Sequence, residues 1–79
     1  MELVLYTRRD CELCREMEAV IDEVAPRYHV DLKRLEIDGD AALEAQFGLE
    51  VPVLFVNGRK AFKYRCTSRE LRKRLEREK

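Results

Sequence analysis

Short apolar runs of strand length alternate with segments of helical period along this sequence of 79 residues. The first run, Leu3–Tyr6, has the composition of a strand buried on both faces, and apolar residues then recur every three or four positions. A strand, an amphipathic helix and a second strand in succession favour a parallel pair with a right-handed crossover. Because a chain this short has room for only one core, this alternation limits the fold more than any other feature.

The first helix is predicted to begin after Asp10, whose carboxylate can accept hydrogen bonds from free backbone N–H groups, and to end at Pro26. A second strand is expected within Val30–Ile37. Its apolar residues change phase at Lys33 and Arg34, which indicates a bulge or a later start of the strand. The apolar face of the helix is predicted to contain Leu13, Met17, Val20, Ile21 and Val24.

The second half of the chain contains a predicted hairpin. A short helix capped by Asp40 should precede a third strand, Val51–Val56. Asn57 and Gly58 follow directly, and Asn-Gly is the strongest short-range signal of a two-residue hairpin turn. We therefore expect a fourth strand, Arg59–Tyr64, antiparallel to the third.

A capping box formed by Thr67 and Glu70 is predicted to open the last helix. Leu71 and Leu75 would face the core, and Glu70 would form an i,i+4 pair with Arg74. The element order is βαβαββα, which predicts an α/β fold with a four-stranded mixed sheet and three helices. The whole chain, residues 1–79, is expected to form one domain.

The composition and the first residues of the sequence indicate the cellular compartment of the protein. The sequence is 41% charged, and no apolar stretch approaches the roughly 18 residues needed to span a membrane. The first residues contain no basic leader followed by a cleavage site, so we expect a cytoplasmic protein without membrane contact. In such a reducing compartment, two closely spaced cysteines are more typical of catalysis or metal binding than of a structural disulfide.

Two of the three cysteines, Cys11 and Cys14, are separated by two residues at the predicted start of the first helix. Free N–H groups and the helix dipole favour negative charge there, which lowers a thiol pKa from about 8.5 toward neutrality. Arg8 and Arg9 would strengthen this effect, and Glu12 would oppose it. Cys14 should lie deeper, in position to attack a mixed disulfide formed on Cys11.

Two other interpretations of the cysteine pair remain open. The cysteines could simply fill core positions, or they could contribute to a metal site. A structural zinc site needs about four ligands, and only Cys66 and His29 are available beyond the pair. Because His29 lies beyond the end of the first helix, we expect no metal site. Cys66 itself is interpreted as an incidental small apolar residue, with a third redox thiol as the alternative.

The charge is unevenly distributed. Residues 1–58 contain 6 basic and 13 acidic residues, and residues 59–79 contain 10 basic and 3 acidic ones, so the two parts carry −7 and +7. A basic final helix is typical of a solvated surface, but it also allows a redox-silent binding module with an acidic partner. The zero net charge and few aromatic residues argue against nucleic acid as that partner.

Taken together, four segments resemble the glutaredoxin-like branch of the thioredoxin superfamily, and most closely its small bacterial members. The resemblance spans the chain and implies a thiol–disulfide oxidoreductase with a thioredoxin-like fold. It also implies a disulfide-bearing protein or a glutathione mixed disulfide as substrate and a separate reducing partner. For the chain itself we expect a monomer. The matching segments are LYTRRDCELC, LEIDGD, VPVLFVNGR and the closing helix from Thr67.

The resemblance assigns roles to individual residues. Cys11 corresponds to the family's nucleophile and Cys14 to its resolving thiol. Pro52, which alone is more typical of a trans proline at the first residue of a strand, corresponds to the family's cis-proline beside the cysteines. Val51 would then offer its backbone N–H and C=O to an extended substrate.

The sequence differs from typical glutaredoxins in the segments that hold glutathione. Tyr64–Ser68 replaces the family's Gly-Gly step, and Glu12 and Leu13 replace its Pro-Tyr pair. No cofactor is expected, and glutathione remains a candidate co-substrate whose carboxylates could pair with an arginine. The candidate arginines are Arg8, Arg9 and Arg65. An iron–sulfur cluster that bridges two chains is a further alternative.

Overall fold

The computed structural model describes residues 1–79 and confirms the predicted order βαβαββα. A single 3₁₀ turn, Ala25–Arg27, follows the first helix and contains Pro26. None of the helices combines the length and the apolar character that crossing a bilayer requires. The elements are β1 (Glu2–Thr7), α1 (Glu12–Val24), β2 (Asp31–Glu36), α2 (Ala41–Phe47), β3 (Val53–Val56), β4 (Arg59–Lys63) and α3 (Ser68–Arg77).

The four strands form one mixed sheet in the order β2-β1-β3-β4. β1 pairs in parallel with β2 and antiparallel with β3, and β4 pairs antiparallel with β3. The ladder between β3 and β4 shifts register at Leu54 and Phe55. The predicted mixed sheet with three helices is therefore confirmed, and β1 lies at its centre beside two neighbours.

The main core lies between one face of the sheet and the helices α1 and α3. Alternate residues of β1 and β3 point to this face because successive side chains of a strand point to opposite sides. The helices contribute residues at helical spacing, including the pair Leu71 and Leu75 predicted from the sequence. The buried members are Leu3, Leu5, Met17, Ile21, Val24, Leu54, Val56, Cys66, Leu71 and Leu75.

A smaller core lies on the opposite face, under α2. Phe47 stacks on Tyr6 with ring centroids 4.4 Å apart, and Phe55 meets both rings edge-on. Ile37 and Val53 are fully buried beside them. Since α2 has only seven residues, it covers this face incompletely. The prediction that the first strand is buried on both faces is therefore wrong for this side, where Tyr6 is only half-buried.

Two local predictions are wrong. β2 pairs with β1 residue by residue from Glu2–Asp31 to Thr7–Glu36 without a bulge. Because β2 is an edge strand, its charged side chains reach solvent from either face, which produced the apparent change of phase. The third strand begins at Val53, two residues later than predicted, after Pro52, which has no N–H to donate to a ladder.

The hairpin turn between β3 and β4 also holds the ends of the chain. Asn57 and Gly58 have φ values of 48° and 81°, the left-handed conformation that such a turn requires. The Asn57 side chain accepts a hydrogen bond from the Glu2 N–H (2.8 Å) and donates one to Glu78 (2.9 Å). The amino group of Met1 donates to the His29 carbonyl at 2.8 Å.

The capping box at the start of α3 is confirmed. The Thr67 hydroxyl accepts a hydrogen bond from the Glu70 N–H (3.0 Å), and the Glu70 carboxylate accepts one from the Thr67 N–H (2.8 Å). This contact occupies Glu70, so the predicted pair with Arg74 does not form. Arg74 instead pairs with Glu78, four residues further along the helix, at 3.2 Å.

Replacing the capping residue, Thr67→Ala, is expected to lower the free energy of unfolding by about 1 kcal/mol, since the Glu70 N–H in the first turn of α3 loses its acceptor. Thr67→Ser keeps a hydroxyl and should retain most of that stability. Urea denaturation of the three proteins measures the difference. Equal stability of Thr67→Ala and the parent would contradict the assigned role.

Candidate active site

Cys11 caps the first helix with its own sulfur. Its backbone is extended, with φ −119° and ψ 109°, and its Sγ accepts a hydrogen bond from the Cys14 N–H at 3.1 Å. The predicted cap, Asp10, instead occupies a left-handed turn with φ 52°. The helix therefore begins one residue later than predicted, and the sulfur of Cys11 lies directly at its N-terminus.

The two cysteines of the pair have different environments. Cys11 is partly exposed, whereas Cys14, in the first turn of α1, is only 2% exposed. Their sulfur atoms lie within disulfide-bonding distance, and their Cα atoms are 5.2 Å apart. Attack by an external sulfur is therefore open to Cys11 and closed to Cys14.

The loop before Cys11 is held by polar contacts from the neighbouring segments. The Arg9 N–H donates a hydrogen bond to the Asp38 carboxylate at 2.9 Å. The Arg8 guanidinium donates to the Gly48 carbonyl at 3.3 Å and lies 3.5 Å from the Glu44 carboxylate. Because Asp38 follows β2 and Gly48 ends α2, the loop is anchored to both elements. No pattern in the sequence indicates Asp38 or Gly48 as partners of this loop, because only the fold brings them to it.

A shallow depression of about 390 Å³ surrounds the cysteine pair and includes Arg8, Arg9 and Arg15. Each arginine is close to a carboxylate. Arg8 contacts Glu44 as above, and Arg9 lies 4.0 Å from Glu36. Arg15 donates to Glu12 at 2.8 Å, and this hydrogen bond raises the pKa of Arg15. The positive charge beside Cys11 is thus largely compensated.

Arg65 does not join this depression. It lines a separate groove between α1 and the start of α3, together with Met17, Val20 and Cys66. Cys66 is 8% exposed, and burial, aided by the nearby Glu70 carboxylate, raises its thiol pKa to about 11. These properties support the interpretation of Cys66 as an apolar packing residue.

Pro52 lies just before β3, at the end of the sheet where β1 leads into the cysteine loop. The Val51–Pro52 peptide bond is cis, and the Pro52 side chain is fully buried. The Pro52 carbonyl accepts a hydrogen bond from the Tyr64 N–H at 2.9 Å. The Val51 N–H already donates to the Phe47 carbonyl at 3.1 Å, so in this conformation only the Val51 carbonyl is free for a substrate.

Two large apolar side chains are exposed near this end of the sheet. Leu49 is 92% exposed and Tyr64 is 43% exposed. The Tyr64 hydroxyl donates a hydrogen bond to the Leu49 carbonyl at 3.0 Å. Nothing in the sequence singles out Leu49, because an isolated leucine between helix and strand gives no periodic signal. Tyr6, by contrast, packs in the smaller core.

No group of three or more His, Cys, Asp and Glu side chains comes together in a way that could hold a metal ion. Cys66 and His29, the ligands considered from the sequence, lie in different depressions, and neither depression includes the cysteine pair.

Comparisons with known proteins agree with this architecture. Residues 2–76 match the model of the family described as Glutaredoxin-like domain (DUF836). The X-ray structure of protein XcR50 from X. campestris is 36% identical, with 95% of this chain and 96% of that chain covered and a TM-score of 0.82. The solution structure of protein Ne2328 from Nitrosomonas europaea is 32% identical, with 92% and 88% covered and a TM-score of 0.75.

A more distant neighbour is thioredoxin 1 from Thermosipho africanus, which is 15% identical over 99% of this chain and 98% of that chain, with a TM-score of 0.63. At that identity the likeness shows the fold alone, which is thioredoxin-like. The comparison with curated proteins finds no match.

Cys66 should resist alkylation in the folded protein. A thiol pKa of about 11 in place of 9.0 lowers the thiolate fraction at pH 8 about a hundredfold. With Cys11 and Cys14 oxidised, iodoacetamide should modify Cys66 at least a hundredfold more slowly than in urea, as followed by mass spectrometry. Modification at the rate of the unfolded chain would contradict the burial of this thiol.

The same pKa shift predicts a pH dependence of stability. The raised pKa means that the thiol stays protonated to higher pH in the folded state than in the unfolded state. The contribution of Cys66 to the free energy of unfolding is therefore constant below about pH 9 and is lost as the pH rises toward 11. The free energy of unfolding should therefore fall more steeply over this range in the parent than in Cys66→Ala. Parallel curves for the two proteins would contradict the shift.

Proposed function

The chain belongs to the glutaredoxin-like domain family (DUF836) of the thioredoxin superfamily, and we propose that it is a thiol–disulfide oxidoreductase. Its fold and its C-x-x-C pair are those of a redox protein in general terms. In the proposed reaction Cys11 is the nucleophile and Cys14 the resolving thiol. The observation that carries this assignment is the unequal placement of the two sulfurs at the start of α1.

The position of Cys11 supports its role as the attacking group. Its sulfur accepts an N–H of the first turn, and the helix dipole adds to the stabilisation of negative charge there. In the reduced protein this contact would favour the thiolate, which is the nucleophilic form. The partial exposure of Cys11 leaves room for the approach of a substrate sulfur.

The reaction has two steps. The Cys11 thiolate attacks one sulfur of a substrate disulfide, the substrate S–S bond breaks, and the departing thiolate takes a proton. Cys14 then loses its proton and attacks the Cys11 sulfur, which forms the Cys11–Cys14 disulfide and releases the second substrate thiol. The substrate gains two electrons and two protons, and the protein is oxidised to the Cys11–Cys14 disulfide, which the short distance between the two sulfurs allows.

A reducing partner that supplies thiols must restore the dithiol. We propose that this partner and the substrate meet the protein in a reducing compartment such as the cytoplasm, where the chain acts as a monomer without a bound cofactor. Glutathione is one candidate, although the arginines around Cys11 are already near carboxylates. Val51, Pro52, Arg8 and Arg9 are proposed to border the substrate, and Arg65 would contact only a substrate that extends to its groove.

A redox-silent binding module remains the second candidate, because the basic residues of α3 are poorly compensated. Arg69, Arg72, Lys73 and Arg77 have no carboxylate within ion-pair distance, unlike Arg74, which pairs with Glu78. Binding through this helix would weaken steeply as salt increases and would survive Cys11→Ser. Loss of partner binding in Cys11→Ser would exclude this candidate.

The redox proposal predicts distinct effects of the two serine variants. Cys11→Ser should abolish reduction of bis(2-hydroxyethyl) disulfide, because no accessible thiol of the pair remains. Cys14→Ser should accumulate a mixed disulfide on Cys11, because no neighbour resolves it. Mass spectrometry after incubation in graded thiol buffers measures both states. A parent chain in which Cys11 and Cys14 never link would refute the proposal.

The mixed disulfide of Cys14→Ser also identifies the natural partner. A mass increase equal to glutathione would assign glutathione as co-substrate, and attachment of a polypeptide would assign a protein disulfide. Cys66→Ala in the same background is the matched control, because it removes the only other thiol of the chain. The adduct should persist in that double variant and should be absent when Cys11 is replaced.

A further inference from the structure

We propose that Leu49 and Tyr64 form a docking patch that selects protein disulfides in which an apolar and an acidic residue flank the reacting cysteine. The inference rests on the proposed function and specifies the substrate class of the same site. The two residues are here called the Leu49–Tyr64 patch. They are the large apolar side chains of the chain that remain exposed.

The backbone at Leu49 is held in place by hydrogen bonds to the carbonyl of the preceding residue and to its own carbonyl. The preceding residue, Gly48, has its carbonyl bound by the Arg8 guanidinium at 3.3 Å. The Leu49 carbonyl itself is bound by the Tyr64 hydroxyl at 3.0 Å. Tyr64 adopts a φ of 68°, which is unfavourable for a bulky residue and persists only where the surroundings enforce it. The backbone is thus fixed while the apolar side chain points into solvent.

The same contacts place the patch beside the cysteine pair. Arg8, which holds Gly48, lines the depression around Cys11. Tyr64 also donates its N–H to the carbonyl of Pro52, at the end of the sheet from which the cysteine loop departs. The patch and the cysteine loop thus lie at the same end of the sheet, and we expect a substrate chain bound at Cys11 to extend along the patch.

The chemistry of the patch favours a protein over glutathione. Glutathione contains γ-glutamate, cysteine and glycine, so it has no apolar side chain to bury against Leu49. The arginines that could hold its carboxylates are near carboxylates of the chain itself. A polypeptide with an apolar residue near its cysteine would remove the exposed leucine from water, which is favourable in proportion to the area buried.

The charge beside the patch is positive. The Lys63 ammonium lies 5.5 Å from the centroid of the Tyr64 ring. Lys63 forms no ion pair: the nearby Glu50 carboxylate, whose pKa Lys63 helps to lower, is paired directly with Lys60. An acidic residue of the substrate would therefore find an ammonium without a direct carboxylate partner next to the apolar contact.

The covalent step is the first step of the proposed reaction. It can be followed with two synthetic peptides whose cysteine is joined to 2-nitro-5-thiobenzoate in a mixed disulfide. The first peptide has Leu and Glu flanking the cysteine, and the second has Ser and Gln. The Cys11 thiolate of reduced Cys14→Ser attacks the peptide sulfur, the S–S bond breaks, and the coloured thionitrobenzoate anion leaves. The rate of colour release gives the second-order rate constant for each peptide.

We expect the Leu/Glu peptide to react about tenfold faster than the Ser/Gln peptide, because a leucine contact is made before the transition state. In Leu49→Ser this ratio should fall close to unity, and in Lys63→Gln it should fall about twofold. Ala42→Ser, an exposed substitution on α2, is the matched control and should retain the full ratio.

Equal rates for the two peptides, or a ratio unchanged in Leu49→Ser, would overturn the inference. Reduction of bis(2-hydroxyethyl) disulfide by the unmodified chain tests the proposed function independently, since this small substrate has no apolar or acidic side chain for the patch to recognise. A chain that reduces the small disulfide but does not distinguish the peptides keeps the proposed function and loses the docking patch. A chain that reacts with neither overturns both.

Discussion

The central position of β1 is the constraint on which the rest of the structure depends. This strand of six residues hydrogen-bonds to β2 on one side and β3 on the other. Its alternate side chains pack into both cores, so the strand is fixed in position and direction. The cysteine pair follows four residues after its end. This central strand therefore determines where the sulfur of Cys11 is presented.

The loop between β1 and α1 connects this fixed strand to the cysteine pair and is itself held in place. Asp38 binds the backbone of Arg9, and the C-terminal end of α2 binds the side chain of Arg8. With the loop held on both flanks, α1 begins where Cys11 can cap it. Electrostatic help for a thiolate then comes chiefly from backbone N–H groups, because the neighbouring arginines are compensated by carboxylates. Backbone donors of this kind keep their position when salt or substrate charge changes.

The sequence predicted the order of the elements, the hairpin and the last helix, because each depends on local signals such as periodicity, Asn-Gly and the capping box. It misplaced the start of α1 by one residue, since Asp10 is a stronger intrinsic cap than cysteine and only the turn geometry rejects it. It grouped Arg65 with Arg8 and Arg9 because proximity in space cannot be derived from residue type. The exposure of Leu49 could not be predicted for the same reason, because only the folded chain shows that this leucine faces water beside the site.

The turn at Asn57 has a practical consequence for the molecule as a whole. Through its side chain it holds the first strand and the last helix together at one pole of the sheet, where Met1 and Lys79 border the same depression. The length of β1, about 20 Å, separates that pole from the cysteine loop. A fusion partner or a surface tether attached through either terminus would leave the sulfur of Cys11 facing outward and unobstructed.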